Sequence, residues 1–199
     1  IESAQFGDDK NGIFFMRVNF ESSITHKISL NQLEEAFLDI KKKFNMKSNF
    51  YDMSSKAKTI IMVSKFGHCL NNILFQWNNG HINIDIPYII SNHTNLKYMV
   101  EQYKIPFKHI PIDINNKNEA ETALLNIINK EKIDLIVLAR YMQVLSPNLC
   151  KLMNGRVINI HHSFLPSFKG ARPYQQAFEK GVKIIGASAH YVTQDIDEG

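Results

Sequence analysis

The sequence predicts an α/β protein, a doubly wound and mostly parallel sheet preceded by a small α+β module. Three observations carry this. From Lys58 onward, short apolar runs rich in β-branched residues alternate with amphipathic stretches, the repeat of successive β-α units. The run Ile133 to Ala139 is apolar on both faces, as a central parallel strand is. Before residue 57 the order changes to strand, helix, strand, a piece too small to bury a core of its own. The expected division is therefore 1–57 and 58–199.

In the first region Gly12 to Phe20 reads as a strand, with Phe14, Met16 and Val18 on one face and Phe15, Arg17 and Asn19 on the other. Ser29-Leu30-Asn31-Gln32 has the form of a capping box, and Leu30, Leu33, Phe37, Ile40 and Phe44 follow as one apolar stripe. Lys47 to Ser54 is expected to return as a second strand. In the second region the expected strands are Thr59–Ser64, Ile82–Ile90, Phe107–Ile112, Ile133–Ala139, Arg156–Ile160 and Ile184–Val192. Between them lie helices over Cys69–Trp77, Leu96–Tyr103, Glu119–Lys132, Pro147–Met153 and Tyr174–Lys180, the last closed by Gly181.

Composition excludes several classes. With 199 residues, 44% hydrophobic and 21% charged, the chain has the balance of a soluble globular protein. Apolar runs such as Leu135 to Ala139 are far too short to span a bilayer. The first residues lack the basic and apolar regions of a signal peptide, so a cytoplasmic protein with no membrane partner is expected. The two cysteines, Cys69 and Cys150, stand in no metal-like spacing and read as buried thiols of a reducing compartment. The +4 charge mildly favours anionic partners. Its basic run Lys41-Lys42-Lys43 complements a helix dipole, and no aromatic-interleaved basic patch points to nucleic acid.

The first strand-to-helix turn, Lys65-Phe66-Gly67-His68-Cys69, has one glycine and a bulky Phe66 where phosphate binders need close backbone approach. That speaks against a nicotinamide cofactor or a Walker-type site. His68 could cap the helix or touch a small anion. The absence of HxH, HExxH and CxxC spacings speaks against a metal.

In doubly wound sheets ligands bind outside the carboxyl ends of the strands. Three polar segments are expected there: Arg140 to Leu145, Asn159 to Pro166, and Thr193 to Gly199. Asn159 and His161 lie two apart on one strand and so share a face. They pair a neutral hydrogen-bond donor with a group that titrates near neutrality, the two things acyl chemistry needs. His162 alternates to the other face and reads as a loop orienter. His190 reads as a supporting orienter. The acidic tail Gln194-Asp195-Ile196-Asp197-Glu198 offers a carboxylate partner for His161, and spacing leaves Asp195 and Asp197 both open.

From about Lys58 the chain resembles the folate-dependent formyltransferase family. The matching residues are Asn159-Ile160-His161 with Ser163-Phe164-Leu165-Pro166, and His190-Tyr191-Val192-Thr193 leading to Asp197. Leu138 to Pro147 resembles the family's folate-binding loop, Ser64 to Asn71 its first turn, and Gly170-Ala171-Arg172-Pro173-Tyr174 the segment after the active site. The match is nearer to the family's hydrolytic branch. Glycinamide ribonucleotide formyltransferases carry proline in place of His162, and a Gly/Ser-rich phosphate turn in place of Lys65 to His68.

The resemblance implies hydrolysis of 10-formyltetrahydrofolate to formate and tetrahydrofolate, in one-carbon metabolism and purine biosynthesis. Asn159 would hold the formyl oxygen, His161 would move protons, and Asp197, now preferred to Asp195, would position water. Backbone around Gln143 to Leu145, and around Val192, Thr193 and Asp195, would hold the pterin between apolar walls from Leu138, Met142 and Val144. No metal or redox cofactor is implied, since the folate substrate carries the formyl group. The alternatives are transfer to an amine acceptor such as glycinamide ribonucleotide, and a non-catalytic folate- or amino-acid-binding regulator. The first region resembles part of an ACT domain, which implies an amino-acid effector and a homo-oligomer. Compared with the family, the sequence is expected to be incomplete at both ends.

Overall fold

The computed structural model describes residues 1–21, 28–170 and 172–198; Ala171 of the post-active-site segment and Gly199 of the acidic tail lie outside the described residues. The chain divides into two units, Ile1–Ser55 and Lys56–Gly199.

The first unit is a hairpin and a helix. Strands β1 (Glu2–Asp8) and β2 (Ile13–Asn19) pair antiparallel. Their turn is organised by the Asp8 carboxylate, which accepts from the backbone of Lys10 and Asn11 and from the Asn11 amide. Gly12 completes it at φ 63°, where a side chain would be strained. Helix α1 (Leu30–Lys43) opens on a full capping box, Ser29 and Gln32 satisfying each other's backbone, and ends on Lys41, Lys42 and Lys43.

The return strand expected over Lys47–Ser54 is not formed. Its apolar residues do not alternate: Phe50 packs edge-on to Phe37 at 5.4 Å, and Asp52 caps a local turn through the Ser54 amide and hydroxyl. The partner of β2 is β1, whose mixed Glu2-Ser3-Ala4-Gln5-Phe6-Gly7 pattern has no clear period. Within this unit no described residue is buried.

The second unit holds strands β3 (Ala57–Val63), β4 (Ile84–Asp85), β5 (Ile89–Ser91), β6 (Phe107–His109), β7 (Leu135–Leu138), β8 (Val157–His161) and β9 (Ser188–Tyr191). Its helices are α2 (His68–Asn78), α3 (Lys97–Glu101), α4 (Lys117–Glu131), α5 (Pro147–Leu152) and α6 (Pro173–Glu179). The sheet order is β6-β5-β3-β7-β8-β9, with β4 beside β3. Every pairing is parallel except β8–β9.

Strand β3 shows why the sheet is covered twice. Ile60 and Met62 point into a core with Leu124 and Ile128 of α4 and Leu149 of α5, while Ile61 and Val63 point into another with Leu70 and Leu74 of α2 and Val100 of α3. An apolar strand with no polar face folds only where both faces are covered.

Two expected strands are corrected. Ile82–Ile90 is broken in two around Pro87, which has no N–H to give to a ladder. Ile184–Val192 begins only at Ser188, leaving Ile184 and Ile185 exposed, and β9 runs antiparallel along the edge of β8. Gly186 precedes it in close contact with the Phe164 ring, where a Cβ would lie 2.5 Å from a ring carbon.

Candidate active site

The register of β8 and β9 sets Asn159 opposite His190 and His161 opposite Ser188. Because β9 is antiparallel, the chain leaves it at the amino end of β8, where the Val192 amide donates to the Val157 carbonyl. The acidic tail therefore does not emerge at the carboxyl ends, as a parallel sixth strand required. It folds back over the sheet, and Asp197, in the left-handed region at φ 58°, presents its carboxylate to both histidines.

The His161 Nδ1 lies 3.3 Å from Asp197 Oδ2, and the His190 Nε2 lies 3.6 Å from Asp197 Oδ1. The three side chains are 6%, 7% and 8% exposed for His161, His190 and Asp197. Asp197 Oδ2 also accepts the Gly170 amide at 2.9 Å, and an ion pair between Lys169 and Glu198 at 2.6 Å ties the same two segments together. Of the two carboxylates that spacing left open, geometry selects Asp197; Asp195 is exposed, and its carbonyl accepts the Thr193 hydroxyl.

Donor and acceptor chemistry fixes the protons. His161 Nε2 lies 2.7 Å from the Phe168 carbonyl oxygen, which can only accept, so Nε2 carries hydrogen. Its Nδ1 faces the Asp197 carboxylate. His190 Nδ1 donates to the Tyr191 carbonyl at 3.0 Å, so in the neutral ring Nε2 is a lone pair and accepts the Asn159 Nδ2–H at 3.2 Å. That assigns the Asn159 amide: reversed, its oxygen would face the lone pair. The second Nδ2–H of Asn159 remains as a donor.

This makes His190 a positioning residue. His190→Leu is expected to lower kcat about tenfold with KM little changed, and His190→Gln, whose amide oxygen can accept, to recover part of it. Steady-state kinetics on both variants checks this; equal losses would reduce His190 to packing.

The His162 ring lies between those of His161, at 5.6 Å, and Tyr174, at 5.2 Å. Burial depresses its pKa first, then the Arg140 and His161 charges, with Asp197 opposing. The folate-loop residues divide. Leu138 and Leu145 are buried in the core, while Met142 and Val144 are each 58% exposed. Gln143, Val144 and Leu145 line a small cavity with Tyr141, Ile110, Ile112 and Glu121. Val192 packs against the same core. A buried pair pins the loop: Ser64 donates to Asn92 at 2.8 Å and accepts the Met142 amide at 3.0 Å. Sequence reasoning assigned no role to Ser64, Asn92 or the Phe168 carbonyl. Ser64 alone left a trace, as the polar residue that ends an apolar strand.

Residues 57–199 match the family described as Formyl transferase, and the chain belongs to that family. Within it the chain groups with the formyltetrahydrofolate deformylases. It is 46% identical to the one from Corynebacterium sp. (strain P-1), covering all of this chain and 69% of that protein, and 42% identical to the one from Bacillus subtilis, covering 66% of it. The crystal structure of the Pseudomonas syringae pv. tomato formyltetrahydrofolate deformylase superposes with a TM-score of 0.87 at 41% identity, over all of this chain and 66% of that one. Glycinamide ribonucleotide transformylase 1 from Symbiobacterium toebii gives 0.67 at 27% identity, over 76% of this chain and 73% of that one. The chain thus spans about two thirds of the length of these deformylases. No helix among the described residues is long and apolar enough to cross a membrane.

Proposed function

We propose that this protein hydrolyses 10-formyltetrahydrofolate to formate and tetrahydrofolate. The observation that carries this reading is the buried Asn159–His190–Asp197–His161 arrangement at the end of β8, in a chain of this family. The free Asn159 N–H is a donor for the formyl oxygen as it takes up charge. Asp197 and His161, 3.3 Å apart, are the acid–base pair. Water adds to the formyl carbon and gives a proton to this pair. The C–N10 bond then breaks, its electron pair stays on N10, and N10 takes a proton from the pair. The hydroxyl proton of formic acid leaves, giving formate.

The His161 nitrogens lie against the Phe168 carbonyl and Asp197, so on this reading protons pass to and from water and N10 through the Asp197 carboxylate. On this reading Met142, Val144 and the backbone of Gln143 to Leu145 contact the pterin with Val192, Thr193 and Asp195. Leu138 supports that wall from behind. The folate supplies the one-carbon unit, and residues of the chain supply the rest.

The same reading makes residues 1–57 an ACT-like regulatory domain that takes an amino-acid effector and pairs copies of a cytoplasmic enzyme. Its support is the hairpin with a capped helix. Incubation of the purified protein with 10-formyltetrahydrofolate and no amine is expected to release formate and tetrahydrofolate in equal amounts. Release only after an amine is added would overturn hydrolysis in favour of transfer.

A further inference from the structure

Arg140 is a charged group at the carboxyl ends of the strands that the mechanism leaves unused. It follows β7, whose Leu138 pairs with Asn159 of β8. Arg140 and His161 are each two residues further on, so they leave neighbouring strands at the same level. The Arg140 backbone is left-handed, at φ 58°, a conformation that an arginine adopts only where its surroundings hold it. The side chain is half-buried, its Nε is sealed from solvent without a hydrogen-bond partner, and the guanidinium sits 5.5 Å from the centre of the Phe66 ring. Among the described residues no carboxylate forms an ion pair with it. His162 and Cys69 both feel its charge.

A partly buried guanidinium without a counter-ion is a ready partner for a carboxylate or phosphate, which its planar fork matches with two parallel hydrogen bonds. The proposed reaction creates such a group at this level of the site. Its substrate end is a neutral formamide, and its product is a carboxylate. We propose that Arg140, stacked on Phe66, is the binding position for the product formate, taking the anion once formic acid has lost its proton.

This rests on the hydrolytic reading given above. A carboxylate on a remote part of the folate is the other source of the same chemistry. The register with His161 places Arg140 at the reacting end and favours the product.

The probe is sodium formate, with chloride at equal ionic strength as control, read by 13C-formate line broadening and by inhibition of tetrahydrofolate production. The native protein is expected to bind formate, and Arg140→Gln to weaken both readouts about tenfold or more. Arg140→Lys, which keeps charge but loses the fork, is expected to fall between, and it serves as the test if Arg140→Gln does not fold. Equal formate binding by native and variant proteins would overturn the proposal. So would a raised KM for the folate with formate inhibition unchanged, which would assign Arg140 to a remote carboxylate. A native protein that hydrolyses the folate yet binds no formate would overturn the product site and leave the activity standing. Line broadening needs no turnover, so it reads the site even if hydrolysis fails.

Discussion

Asp197→Asn is expected to lower the rate of formate release by about 10²–10⁴-fold while the protein stays folded. The substitution isolates chemistry from structure. Asp197 sits at φ 58°, and asparagine is one of the few residues that adopts this region readily, so the turn that brings the side chain back over the sheet is kept. The amide oxygen can still accept the Gly170 N–H, as the carboxylate does at 2.9 Å. What is lost is the carboxylate 3.3 Å from His161 Nδ1, the group that accepts and returns protons in the proposed mechanism. The expected result is a loss in kcat with little change in folate affinity, measured by initial rates beside a circular-dichroism melt. Turnover within a few-fold of the native protein would remove Asp197 from the mechanism.

Asn159→Ala is expected to cost about 10²–10³ in kcat, the loss typical of one removed oxyanion donor. Two things go at once. The formyl oxygen loses the free Nδ2–H, and the His190 Nε2 lone pair loses the donor it accepts at 3.2 Å. The second effect distinguishes this variant from Asp197→Asn. His190 Nε2 also lies 3.6 Å from Asp197 Oδ1, so the two positions share one network. The losses of Asn159→Ala and Asp197→Asn are therefore expected to be less than additive in the double variant. Initial rates of the two single variants and the double variant check this.

The regular elements of both units were legible where their signals are local and redundant. Strand β3 is apolar on both faces, α1 carries its capping box in four consecutive residues, and both can be read with no knowledge of what they touch. The failures have a common physical cause. Lys47–Ser54 has strand-like residues but no alternation, and a short-range Asp52 cap prevailed. Glu2–Asp8 lacks a pattern, yet a tight turn next to β2 makes it pair. The direction of β9 depends on how far α6 carries the chain, which no local signal records. That one direction also decides the site. Spacing brought out Asn159 and His161, which share a strand, but a fold-back at a left-handed residue, not a register, chooses Asp197 over Asp195. The Phe168 carbonyl was invisible for a simpler reason: a backbone oxygen has no letter in a sequence.

The order of these parts along the chain has a consequence for how the protein comes into being. Strands β3 to β8, and with them Asn159 and His161, are complete before the ribosome has made β9, and Asp197 follows near the end of the described residues. A nascent chain that has already closed most of its sheet still lacks the carboxylate that completes the pair. The sheet can form without this carboxylate, and on the proposed mechanism chemistry waits until the segment that carries Asp197 has emerged and folded back. On that mechanism a copy interrupted before Asp197 holds most strands of its second unit but cannot consume its substrate.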